Sequence, residues 1–104
     1  MKSSGLSDMY MKIYETDANV MVAVCDKTIV GKTFREGELV LKLDECFYKG
    51  NEASDEEVKH AISCATVANI AGEKAIACAV DCGAIDPGTI IYIGGVPHAQ
   101  MVQL

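Results

Sequence analysis

The sequence predicts an α+β fold: a small antiparallel or mixed sheet packed against two Ala-rich helices. Three observations carry that expectation. Aromatic, β-branched or alternating segments come first, at residues 10–14, 20–25 and 38–43. Apolar residues at helical spacing follow in two blocks between residues 54 and 82. A last β-branched run, Thr89-Ile90-Ile91-Tyr92-Ile93, comes after them. Strands first and helices grouped together favour α+β over an alternating α/β order.

Each element has its own signal. Residues 1–8 are small and polar without a period, and read as a flexible tail ahead of a single domain over residues 9–104. Met9 offers an alternative start. Tyr10 to Tyr14 alternates imperfectly and is aromatic, hence strand-like. A turn cluster, Glu15 to Asn19, leads into the apolar run Val20 to Cys25, so the two segments read as an antiparallel hairpin. Thr28 to Gly37 is loop-rich, with Glu36-Gly37 able to turn the chain back. Glu38 to Leu43 alternates, placing Leu39, Leu41 and Leu43 on one face of a middle strand. Glu45 to Gly50 fits one helical turn or a bend. Ser54-Asp55-Glu56-Glu57 is a capping box, and the apolar spacing of Val58, Ala61, Ile62, Ala65 and Ala68 predicts a helix to about Ala71. A second helix runs from Lys74 to Cys82, stopped by Gly83. Asp86-Pro87-Gly88 is a turn, Thr89 to Ile93 a buried strand, and Gly94 to Gln100 an unusual loop.

Composition limits the function. The chain has 104 residues, 9 basic against 15 acidic, for a formal charge of −6. That balance argues against broad, sequence-blind binding of a phosphate backbone, and DNA is not expected as a partner. No apolar run approaches the roughly 20 residues of a membrane span. Five cysteines without a secretory leader read as reduced thiols in the cytoplasm. Cys78 and Cys82 share a helix face, but a zinc site needs about four ligands and no second pair follows. Neither metal nor cofactor is expected.

Three segments can carry binding. Gly31-Lys32-Thr33 resembles the end of a P-loop, but Asp26 stands where the first Gly is required, so nucleotide binding is not supported. Lys32 and Arg35 beside Phe34 instead form a local basic spot with an aromatic for stacking, suited to RNA or an acidic partner. Gly94, Gly95, Pro97, His98 and Gln100 make the second segment: freed backbone, a stiffening ring, a titratable group and an amide. Asn69 is the third, a strongly polar residue in an apolar helical stretch. A Cys-His-Asn trio is available only in number, from Cys25 or Cys46 with His98 and Asn69, so no catalytic residue is assigned. The two loops are expected to form one surface with Asn69 beneath it.

Several segments together resemble a known family. They are Tyr-Met-Lys-Ile-Tyr near the start, Gly31 to Gly37, Ala65-Thr66-Val67-Ala68-Asn69-Ile70-Ala71-Gly72 with Glu73-Lys74-Ala75, and Ile93 to Gln100. They look like a family of small archaeal proteins catalogued as domain of unknown function 424, over about residues 9–100. The resemblance implies a small α+β domain in an archaeal cytosol and a link to translation or RNA metabolism. The family-like residues are Gly31, Lys32, Thr33, Phe34, Asn69, Gly72, Gly94, Gly95, Pro97, His98 and Gln100, and the resemblance gives none of them a chemical role.

The leading expectation is a non-catalytic binding module acting on RNA, the ribosome or a translation factor. The alternatives are a small-ligand protein or enzyme built on the Gly94–Gln100 loop with Asn69, and an acidic protein-interaction subunit.

Overall fold

The computed structural model describes residues 8–103. A six-stranded mixed sheet forms the centre. Its strands are β1 (Met9–Glu15), β2 (Val20–Asp26), β5 (Asn51–Ala53), β6 (Val67–Ala71), β7 (Ile91–Ile93) and β8 (Val96–Val102), in the spatial order β5-β1-β2-β6-β8-β7. Only β2 and β6 run parallel; the other pairs are antiparallel. A separate hairpin, β3 (Thr33–Glu36) with β4 (Leu39–Lys42), and the short helix α1 (Glu45–Tyr48) cover part of one sheet face. Helices α2 (Asp55–Cys64) and α3 (Glu73–Asp81) cover the other. The α+β class and the N-terminal hairpin are as the sequence predicts.

Strand β2 lies in the middle and is buried on both sides. Val22 and Val24 enter the core with the helices, joined by Val58, Ile62, Ala68, Ile70, Ala75, Ala79 and Ala99. Ala23 and Cys25 enter the core under the hairpin, joined by Leu41, Leu43, Tyr48 and Ile93. A continuous apolar run is what burial on both faces requires.

Several expectations need correction. The first helix ends at Cys64, not near Ala71, and residues 67–71 are a central strand. The cause is local. Thr66 donates its backbone N–H to the Val20 carbonyl at 2.8 Å, and its hydroxyl oxygen accepts from the Val20 N–H at 2.9 Å. That pins the chain to the start of β2, and β-branched Val67 and Ile70 suit the strand that follows. Asn69 is therefore a strand residue. The middle strand pairs outside the main sheet, and residues 33–36, read as loop, are its partner. Leu41 and Leu43 are buried, but Leu39 at the hairpin end is exposed. The strand read over residues 89–93 is only three residues long and lies at a sheet edge, where Ile91 and Tyr92 are exposed. The Gly94–Gln100 segment is not a loop. Gly94 and Gly95 alone form a tight turn at φ 60 and 84, and the rest is β8. Two successive positive φ values are the geometry that joins a twisted hairpin, and glycine adopts them without strain. The tail expectation falls mostly on residues outside those described. Asp8, its last residue, accepts the Lys27 N–H through its carbonyl at 2.8 Å.

Two helix starts generate predictions. The capping box is complete: Ser54 Oγ accepts from Glu57 N at 3.2 Å and Glu57 Oε1 accepts from Ser54 N at 2.9 Å. Ser54→Ala is expected to cost about 0.5–2 kcal/mol in urea unfolding; no loss would mean the cap is energetically idle. Helix α3 has no cap residue of its own, because Gly72 precedes it at φ 103. The buried carboxylate of Asp26, at the end of β2, reaches across instead. It accepts from Lys74 N at 3.0 Å and Ala75 N at 2.9 Å. A Cβ at residue 72 would lie 2.5 Å from Asp26 Cγ, so only glycine permits the approach. Asp26→Ala orphans two helix N–H groups and is expected to cost about 2–4 kcal/mol by the same measurement. A loss below about 0.5 kcal/mol would contradict this role.

Candidate functional site: the hairpin and the open half of the sheet face

The register sorts the side chains of the hairpin-side face into rows. One row runs Ile91, His98, Ala71, Cys25, Tyr10 across the sheet. The next runs Gln100, Asn69, Ala23, Lys12, and the last Val102, Val67, Met21, Tyr14. The hairpin and α1 cover Ala23, Cys25, Ala71, Ile93 and Val96. The other half stays open: Met21, Val67, Asn69 and His98 are half-buried, and Ile91, Gln100 and Val102 are exposed.

A polar relay crosses this open half. Gln100 Nε2 donates to Asn69 Oδ1 at 2.6 Å, and Asn69 Nδ2 points at the Met21 sulfur at 3.7 Å. His98 stands one row away, beside Ile91, in a shallow depression of about 270 Å³ shared with Thr89 and Gln100. Burial lowers its pKa from 6.5. At neutral pH the ring is uncharged, with one donor and one acceptor nitrogen. No carboxylate projects from β1, β2, β6, β7 or β8 onto this face; the acid it does carry is Glu52 on edge strand β5, ion-paired with Lys27 at 2.7 Å.

The hairpin meets the sheet at the Gly94–Gly95 turn. Gly94 N donates to Glu36 Oε1 at 2.9 Å, and a Cβ on Gly94 would lie 3.2 Å from Phe34 Cβ. The two glycine-containing segments singled out in the sequence are thus in contact. Phe34 faces the sheet with Leu41 and packs against the core, so it is not the free stacking surface the sequence suggested. Arg35 and Thr33 alternate with it and, with Val40 and Lys42, face away from the sheet. Lys32 is exposed at the hairpin base, next to Gly31 at φ 82. Pro97 leaves the set: it pairs with Tyr92 on the opposite face and is buried toward α3. Its missing N–H is harmless there, because the facing Gly72 carbonyl is taken by Ile76 N at 2.9 Å.

Lys42 and Glu36 are additions the sequence reading did not make. Pairing residues 33–36 with 39–42 across Gly37 would have found Lys42, since it alternates with Leu41 and Leu43.

The charges are distributed unevenly. Lys27, Lys59 and Lys74 pair with Glu52, Asp81 and Asp8, while Lys12 and Lys49 sit over the rings of Tyr14 and Tyr10. Among the described residues, Lys32, Arg35 and Lys42 make no ion pair and no ring contact, and all three belong to the hairpin or its base.

The Cys-His-Asn trio named from the sequence is not assembled. Cys25 and His98 stand two strands apart in one row with Ala71 between them, roughly 9–10 Å by strand spacing. Burial, then the charge of Asp26, pushes the Cys25 thiol up to about 12, so it is no nucleophile at neutral pH. Cys46 lies on α1 over β1 and β2, away from β8. Burial likewise raises Cys78 to about 11. His60 Nε2 lies 3.9 Å from Cys64 Sγ on the exposed side of α2, an i,i+4 pair offering two ligands. No group of three or more His, Cys, Asp or Glu among the described residues is arranged to hold a metal ion. Among the same residues no helix is long and apolar enough to cross a membrane. The protein is expected to keep its melting temperature in excess reductant and EDTA; unfolding on chelation would place a structural metal at these thiols.

Comparison with known proteins agrees with the sequence resemblance. A crystal structure of an uncharacterized conserved protein from Methanopyrus kandleri superposes with a TM-score of 0.74, at 27% identity over 89% of each chain. No curated protein matches. Residues 14–104 match the family described as protein of unknown function (DUF424), and the chain belongs to that family.

Proposed function

We propose that this protein is a non-catalytic binding module whose partner is RNA within the translation machinery. The observation that carries this reading is the placement of its uncommitted cations. In a chain of charge −6, Lys32, Arg35 and Lys42 lack carboxylate partners and cluster at one hairpin. Surface ion pairs are weak, about 0–1 kcal/mol, so leaving these cations unpaired costs little stability and keeps them available to a partner. A phosphate backbone is recognised by such groups; Glu36, the acid on β3, is turned to the sheet side, where it accepts from Gly94 N.

The link to translation is what the sequence resemblance implies and is part of this proposal.

Binding of a fluorescent RNA oligonucleotide across a salt series tests the reading. Three phosphate contacts on a single strand predict a slope of log K against log salt of about −2. Replacing Lys32, Arg35 and Lys42 together by Ala should weaken binding at least tenfold with the melting temperature unchanged. A salt-independent affinity, an unaffected triple variant, or capture of an acidic peptide in place of RNA would overturn it.

A further inference from the structure

We infer that Cys64, with His60 as its base, is a site of reversible modification by low-molecular-weight disulfides. The pair lies on α2, which covers the sheet face opposite the hairpin, so this inference is independent of the RNA reading.

The five thiols differ in their surroundings. Cys25 and Cys78 are buried, and burial pushes their pKa values up to about 12 and about 11. The thiolate is the nucleophile, so both are inert at neutral pH. Cys82 is half-buried, and its Sγ donates to the Ala79 carbonyl at 3.5 Å. Cys46 and Cys64 are exposed. Of these two, Cys64 has a base beside it. His60 Nε2 lies 3.9 Å from Cys64 Sγ, within reach of an S–H···N hydrogen bond. Cys46, on α1, has no such neighbour, because the chain's second histidine is His98 on β8, away from α1.

Helix geometry holds the two side chains together. Residues four apart are neighbours on one helix face. Helix α2 turns Val58 and Ile62 inward, which leaves His60 and Cys64 on the solvent side. A nucleophile and a base within hydrogen-bond reach, open to solvent, is the arrangement that activates a thiol. The charges before the pair are acidic: Glu56 and Glu57 stand in the first turn, while Lys59 is paired with Asp81 at 2.5 Å. An uncharged disulfide therefore meets this face without repulsion.

The step is a thiol–disulfide exchange. Cys64 Sγ attacks one sulfur of the disulfide; the new S–S bond forms as the old one breaks. The thiol proton passes to His60 Nε2 and from there to the departing thiolate. Cys64 sulfur is oxidised and the departing sulfur reduced, so no further oxidant is needed. A free thiol reverses the step.

The test treats the full chain, free of reductant, with excess 2-hydroxyethyl disulfide and follows the adduct at each cysteine by peptide mass spectrometry. Cys64 is expected to react at least threefold faster than Cys46. His60→Ala and His60→Gln should each slow Cys64 about three- to tenfold and leave Cys46 unchanged, since neither side chain takes up a proton. If His60 merely shields the thiol, His60→Ala would speed Cys64 instead. Cys25 remaining unmodified shows that each variant is folded. A faster reaction at Cys46, or a Cys64 rate that either variant leaves unchanged or raises, overturns the inference.

Discussion

The carboxylate of Asp26 joins elements that are distant in sequence. It ends β2, caps α3 through Lys74 and Ala75 N–H, and packs against Gly72, the residue that ends β6. Its placement propagates toward the surface. Gly72 N donates to the Pro97 carbonyl at 2.9 Å, which positions β8 at its start. The turn two residues earlier then holds the hairpin through Gly94 N and Glu36. The hairpin in turn presents Arg35 and Lys42. One buried acid thus sets the frame on which the exposed cations depend, along a path of hydrogen bonds and paired strands. Buried charge is tolerated there because two helix N–H groups and the positive end of the helix dipole surround it.

The same frame explains why half of one sheet face is left open. A chain of this length must cover both faces of a six-stranded sheet with three helices and one hairpin. The helix side is filled by α2 and α3. On the other side, Leu41, Leu43, Tyr48 and Phe34 close over Ala23, Cys25 and Ala71, and coverage ends there. Beyond that edge the side chains change from small apolar to Asn69, His98 and Gln100, which tolerate water and can still bind. That change in chemistry coincides with the edge of the covering layer.

Much of the fold was legible because local and tertiary preferences agree. Ser54 to Glu57 announces a helix start that packing then uses, and Val20 to Cys25 is apolar throughout because both faces are buried. Legibility failed where the two conflict. Ala65, Ala68 and Ala71 fit a helical period, yet β-branched neighbours and the Thr66 contacts with Val20 settle the segment as a strand. A strand buried on both faces shows no alternation, so periodicity alone does not separate it from a helix. Ile93-Gly94-Gly95-Val96 is a hairpin signal by its two-glycine turn, masked by Pro97 and His98, which suit a loop equally well. Of the candidate site, the contact between the two glycine segments was readable, while Asn69 was read on a helix and lies on a strand. The burial of Phe34, the turning away of Pro97 and the contribution of Lys42 depend on strand register, which composition does not carry.

Chemical-shift mapping tests the account most directly. In ¹⁵N-labelled protein titrated with a short single-stranded RNA, the largest amide shifts are expected at residues 32–36 and 39–42. Residues of α2 and α3 should remain at their free positions. Shifts concentrated on those two helices, with the hairpin unmoved, would contradict the assignment of the binding face.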